Sequence, residues 1–100
     1  MGEEDFGFAV PAFKPDEALL RAKRELREMG LVERSGHFER GGLAIAKLVV
    51  DGATLKASMV RRPSRTGPEW LHKTLGNSAQ LRDWMADLKR KLDGWSDRDE

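Results

Sequence analysis

The sequence predicts an α+β fold in which an antiparallel sheet of three to four strands carries two helices on one face, in the order α-β-β-β-(β)-α. Two observations predict it: a segment with helical periodicity near each end of the chain, and a hairpin pattern between them. One hundred residues suit one domain with one core. We assign residues 6–95 to this domain and expect disordered acidic ends at residues 1–5 and 96–100.

The segment from Phe6 to Phe13 is apolar and contains three phenylalanines. Pro11 disfavours a helix and favours an extended arm or an edge strand. Three aromatic side chains are costly to leave in water, so we expect this segment to pack on another part of the protein.

The first helix is predicted to begin near Pro15, which suits the first helical turn, and to stop at Gly30. Apolar residues recur at helical spacing and share one face: Ala18, Leu19, Ala22, Leu26 and Met29.

A hairpin is predicted where residues 43–50 and 53–62 flank Asp51-Gly52, because Asp-Gly favours a two-residue type I′ turn. This turn places Lys47 directly opposite Lys56. The face rich in alanine is suited to a helix. The other face combines the two lysines with apolar residues that need cover, either from the phenylalanine-rich segment or from a second subunit.

Shorter elements flank the hairpin. Residues 31–40 are predicted as a less regular strand broken at Gly36. Residues 69–75 alternate like a strand, although Thr66 and Glu69 form a capping-box pattern that would suit a short helix; the strand is favoured.

The last helix is predicted from Ala79 to Asp93, capped by Asn77 or Ser78 and ended by Gly94. Its apolar stripe consists of Leu81, Trp84, Met85, Leu88 and Leu92, with Trp95 beyond it. The stripe has two interpretations: it forms core alone, or it forms core and reaches a second subunit.

Composition excludes several classes of protein. The chain has no cysteine, so disulfides and thiolate chemistry are absent. Its apolar stretches are far shorter than the roughly 20 residues of a spanning helix. The acidic start, with Glu3, Glu4 and Asp5, is unlike a secretory signal. We therefore expect a cytoplasmic protein without a membrane partner.

Charge is distributed unevenly. Residues 1–20 have a net charge of −4 and residues 93–100 a net charge of −3, whereas residues 21–92 have a net charge of +8. A basic body between acidic ends suits an anionic partner, although solvated chain ends also produce this pattern.

The densest basic region lies at residues 56–73 and surrounds an aromatic residue. Phosphates need cations and bases need flat side chains, so we predict a nucleic-acid-binding site, with single strands favoured. Its predicted residues are Lys56, Arg61, Arg62, Arg65, Trp70 and Lys73.

Catalytic patterns are missing from the sequence. His37 and His72 are its only histidines, and neither a paired-carboxylate pattern nor metal-ligand spacing stands out. We therefore expect a non-enzymatic protein without a cofactor, a metal or a small-molecule substrate. The first hypothesis is a nucleic-acid-binding protein, and the alternative is a protein-interaction or regulatory module that acts as a homodimer.

Overall fold

The computed structural model describes residues 13–98, and the side chains of residues 13–95. In this part of the chain two helices and five strands follow in the order α-β-β-β-β-β-α, which confirms the predicted α+β class with more strands than expected. Residues 1–5 and residues 6–12 of the phenylalanine-rich segment lie outside the described residues. The elements are α1 (Pro15–Glu28), β1 (Val32–Arg34), β2 (His37–Arg40), β3 (Leu43–Asp51), β4 (Thr54–Val60), β5 (Trp70–Leu75) and α2 (Ser78–Arg98).

The strands form one antiparallel sheet in sequence order, β1-β2-β3-β4-β5. The extra strand arises because residues 31–40, predicted as one broken strand, form a hairpin. Ser35 and Gly36 have φ of 54° and 83°, the pair of positive values that a type I′ turn requires. Arg34 and His37 face each other across this turn.

The turn between β3 and β4 differs from the predicted one. Asp51 faces Thr54, so the two loop residues are Gly52 and Ala53. Gly52 has φ of 60° and Ala53 has no positive φ, which fits a type II′ turn and not the predicted type I′ turn. The hairpin register therefore moves by two positions, which is an even number, and each strand keeps its predicted face.

The new register also separates the two lysines. Lys47 faces Ser58, and Lys56 faces Val49. The predicted direct opposition of Lys47 and Lys56 is therefore wrong, and the repulsion expected from it is relieved.

A second irregularity lies between β2 and β3. Phe38 faces Ala46, but its neighbour Glu39 faces Ala44, so Ile45 is an extra residue in the ladder. Ile45 and Ala46 are both fully buried. This bulge moves Ala44 away from its predicted place in the helix-covered face, and Ala44 lines a depression together with Glu39.

Both helices pack on one face of the sheet. α1 contacts β1, β3 and β4, α2 contacts β5, and the two helices share a groove. A single cluster of buried apolar side chains joins them to the sheet, including Leu26 and Leu88 from the helices and Leu48, Leu55 and Leu75 from the strands. The layer order predicted from the alanine-rich face is therefore confirmed.

Local signals set the helix ends. The amides of Gly30 and Leu31 donate to the carbonyls of Arg27 and Leu26, which closes α1 with a Schellman motif. Asn77 Oδ1 accepts the Gln80 amide at 2.8 Å and caps the start of α2.

The C-terminal helix is longer than predicted. α2 continues past Gly94, its predicted end, to Arg98, so residues 96–98 of the predicted tail belong to its last turn. Within residues 13–98, neither helix combines the length and the apolar composition that crossing a membrane requires.

A carboxylate ties the edge of the sheet to α1. Glu33, on β1, accepts hydrogen bonds from Lys23 at 2.9 Å and from Arg27 at 3.1 Å. The hydrogen bond from Lys23 is the main reason why the pKa of Glu33 is lowered, and it outweighs the opposing effect of burial.

Candidate functional site

The sheet face opposite the helices, here called the open face, combines polar side chains with two valines, of which Val49 is exposed and Val60 is buried. Side chains alternate along a strand, so this face carries the residues that lie between the buried core positions. Across β3, β4 and β5 it presents Lys47, Lys56, Trp70, His72 and Thr74. Of these, Lys56, His72 and Thr74 are exposed, and no helix of residues 13–98 covers them.

Lys47 and Trp70 meet on the open face. Trp70 faces Val60 across the β4–β5 pair, and Lys47 faces Ser58 across the β3–β4 pair. The Lys47 ammonium nitrogen nevertheless lies 4.3 Å from the centre of the Trp70 ring, which is a cation–π contact. The two side chains therefore span β4, where Ser58 and Val60 are only 8% and 0% exposed.

His72 is held by a buried hydroxyl. Ser58 Oγ and His72 Nδ1 are 2.8 Å apart across the β4–β5 pair. When the hydroxyl donates to Nδ1, the neutral ring carries its proton on Nε2. The imidazole then presents an N–H donor beside Trp70 on the open face.

Lys56 has two weak neighbours. Its ammonium nitrogen is 3.7 Å from Asp51 Oδ2 and 3.4 Å from Thr74 Oγ1. Both charged side chains are more than half exposed, at 55% and 62%. Exposed ion pairs contribute about 0–1 kcal/mol, so a stronger anion can replace Asp51 at little cost.

Arg65 lies at one end of the open face. It lines a depression of about 390 Å³ with His37, Glu39 and Ser64. His37 Nε2 and Glu39 Oε2 are 2.7 Å apart, so the carboxylate in the depression already has a partner. Among the described residues Arg65 has no ion pair.

Arg61 and Arg62 lie at the end of the sheet, where the chain leaves β4. Together with Lys91, Gly94 and Trp95 of α2 they line a hollow of about 270 Å³, here called the end cluster. Arg61 also forms an exposed ion pair with Glu69 at 3.5 Å.

The six predicted binding residues therefore do not share one surface. Lys56 and Trp70 lie on the open face, with Arg65 at its end. Arg61 and Arg62 belong to the end cluster. Lys73 faces Ala57, a buried position of the helix-covered side, and so lies on the other face of edge strand β5.

Four residues outside the predicted set belong to these surfaces: Lys47, His72, Lys91 and Trp95. Strand alternation already places Lys47 and His72 on the face of Lys56 and Trp70, so the sequence contained a signal for them. No local signal links Lys91 and Trp95 to Arg61, because about 30 residues of chain separate them.

A groove of about 720 Å³ lies between α1 and α2. Small side chains on both helices, including Ala18, Ala22 and Ala86, leave this space. Charged residues of both signs line it, and its described lining contains no histidine.

The described residues were also compared with the requirements of a metal site. Within residues 13–98 no group of three or more histidines and carboxylates is placed to hold a metal ion.

Comparison of the chain with protein-family models, with curated proteins and with solved structures finds no match.

Proposed function

We propose that the protein is a non-enzymatic binding domain that takes single-stranded nucleic acid on its open face. The observation that carries the proposal is the Lys47–Trp70 contact on a sheet face that no helix of residues 13–98 covers. Nucleic-acid single strands are bound by cations that track the phosphates and by aromatic rings on which bases stack. The open face offers both groups within one contact distance.

The interaction energies favour replacement of the Lys47 ammonium by a base on the Trp70 ring. A cation–π contact at an exposed site contributes about 0.5–1 kcal/mol. Stacking of a base on an aromatic side chain contributes about 1–3 kcal/mol. A base therefore displaces the Lys47 ammonium from the ring, and the released ammonium pairs with a neighbouring phosphate.

The flanking residues support a single strand over a duplex. Lys56 and Arg65 lie on either side of the Lys47–Trp70 pair and supply further phosphate contacts. In the tautomer in which the Ser58 hydroxyl donates to Nδ1, His72 offers its Nε2–H to a base edge or a phosphate oxygen. Stacking requires an unpaired base, so a base-paired duplex leaves Trp70 unused.

The direct test is fluorescence anisotropy of labelled oligothymidine with the full chain at low salt. Three phosphate contacts, from Lys47, Lys56 and Arg65, give a slope of log affinity against log salt of about −2. Lys47→Gln and Trp70→Leu should each weaken binding about tenfold. Arg24→Gln removes an exposed charge from α1, far from the open face, and serves as the control.

Two results would reject this function. One is the absence of binding to single strands at high micromolar protein and low salt. The other is equal weakening by Lys47→Gln and Arg24→Gln, because a non-local charge effect would then account for the affinity.

The second candidate function is a homodimeric protein-interaction module. Val32 on edge strand β1 and Leu71 on edge strand β5 are 56% and 38% exposed. Free strand edges with apolar side chains favour pairing with another chain. Sedimentation equilibrium tests it: a concentration-dependent dimer that Leu71→Lys dissociates supports this function, and a monomer at all concentrations opposes it.

A further inference from the structure

The end cluster brings together cations from two separate parts of the chain. Arg61 and Arg62 follow β4, whereas Lys91 projects from α2, and Trp95 lies one helical turn beyond Lys91. A lysine near the C-terminal end of a helix complements the helix dipole. That explanation does not extend to Arg61 and Arg62, which are outside the helix.

The carboxylates near the end cluster neutralise it only weakly. Arg61 and Glu69 are 3.5 Å apart and both 64% exposed. Lys91 and Asp87 are 4.0 Å apart at the limit of an ion pair. Arg62 has no ion pair among the described residues, so the hollow is lined by cations that retain free donor groups.

The indole of Trp95 is held in place. It is half-buried and packs against the hydrophobic core, while its exposed part lines the hollow beside the cations. A partly exposed ring that packs against the core beside free cations is the combination that binds a nucleotide, with the phosphate on the cations and the base on the ring.

The end cluster adjoins the open face. Val60 faces Trp70, and Arg61, the first residue after β4, donates its amide to the Glu69 carbonyl at 2.9 Å. A nucleic-acid strand that crosses Trp70 toward this end of the sheet therefore reaches Arg61 and Arg62 next.

We infer that the end cluster is a second nucleotide subsite, which takes a phosphate on Arg61, Arg62 and Lys91 and a base on Trp95. The inference rests on the proposed function, since the same single strand fills both subsites. It assigns binding roles to Lys91 and Trp95. It also gives the bound nucleic acid a path, from the open face around the end of the sheet to α2.

The experiment is a titration of the full chain with a 12-residue oligothymidine, followed by the indole N–H signals in NMR spectra. Trp70 and Trp95 should both shift, whereas Trp84, which is only 4% exposed, should not. The double variant Arg62→Gln/Lys91→Gln should lose the Trp95 shift and keep the Trp70 shift. Its salt slope should be smaller by about 0.7, the value for the one phosphate that the subsite takes.

A matched control removes two charges elsewhere. Arg24→Gln/Lys89→Gln changes the net charge equally and should preserve the Trp95 shift and the salt slope. Far-ultraviolet circular dichroism confirms that each variant is folded.

The outcomes separate the two claims. A Trp70 shift without a Trp95 shift, with equal salt slopes in both double variants, overturns the subsite and leaves the proposed function intact. A Trp95 shift without a Trp70 shift supports the subsite and overturns binding on the open face. The absence of binding and of both shifts overturns both.

Discussion

The ammonium nitrogen of Lys47, on β3, lies 4.3 Å from the ring centre of Trp70, on β5, so the two side chains meet across the intervening strand. Adjacent strands are about 4.8 Å apart, so this contact spans roughly twice that distance. Only long side chains can make it, and together they cover β4 on the side that the helices leave open.

This contact predicts a measurable stability difference. Lys47→Met keeps most of the aliphatic stem and removes the charge, so the free energy of unfolding should fall by about 0.5–1 kcal/mol in urea denaturation. Lys56→Met removes a lysine from the same face without a ring contact and is the control. A loss in Lys56→Met that matches the loss in Lys47→Met would show that the ring contact contributes nothing.

Alanine substitutions at two glycines should change the stability of the protein in opposite directions. Gly52 has φ of 60° in the β3–β4 turn, where an alanine side chain is strained, so Gly52→Ala should destabilise the protein by about 1–2 kcal/mol. Gly94 lies inside α2, and an added Cβ there meets nothing within 4 Å. Gly94→Ala should therefore stabilise it by about 1 kcal/mol. Thermal unfolding of both variants measures the difference, and a change of the same sign in both would contradict the assigned backbone conformations.

Two leucines of α1 differ in burial, and their substitution by alanine should lower the free energy of unfolding by different amounts. Leu26 is 0% exposed and Leu20 is 68% exposed. Leu26→Ala should lower the free energy of unfolding by about 2–5 kcal/mol, because it leaves a cavity beneath the helix. Leu20→Ala should change it by less than about 0.5 kcal/mol. Equal effects in chemical denaturation would mean that α1 presents a different face to the sheet.

Glu33 should make stability depend on pH. Its pKa is lowered in the folded protein, chiefly by the hydrogen bond from Lys23, so its contribution is present above its ordinary pKa near 4.5. That contribution is lost as the pH falls through the lowered value. Because the ion pairs are partly exposed, Glu33→Gln should cost no more than about 1 kcal/mol at pH 7.

The measurement is urea denaturation of the native chain and of Glu33→Gln from pH 7 to pH 2. The two should converge as the pH falls below about 4.5, since the native carboxylate is then progressively protonated. Glu28→Gln, an exposed carboxylate of α1 without an ion pair among the described residues, is the control. A difference that persists unchanged at pH 2 would assign the effect to packing and not to charge.

Much of the architecture could be predicted from short-range patterns. Gly30 and Asn77 mark helix ends because capping depends on a few neighbouring backbone groups. The alternation along residues 46–60 correctly predicts which side of the hairpin the helices cover, because the register error of two positions leaves the faces unchanged; the bulge at Ile45 changes the face of Ala44. The strand at residues 70–75 follows from the same alternation.

Features that depend on a partner strand were predicted less well. The bulge at Ile45 arises because β2 and β3 must pair while Phe38 enters the core, and neither sequence segment alone shows this requirement. The turn at Gly52-Ala53 replaces the expected Asp51-Gly52 turn, because the pairing of Asp51 with Thr54 extends the ladder and separates Lys47 from Lys56.

The sequence by itself determined the two amphipathic helices, the alternating strands and the excess of positive charge in the body of the chain, since each is a property of spacing or composition. Only the tertiary structure decided which cations share a surface. It places Lys47 against Trp70, divides the predicted basic set between two faces and the end of the sheet, and brings Lys91 and Trp95 to Arg61. The physical reason is that helical and strand periods extend over a few residues, whereas contacts between distant residues depend on how the whole core packs.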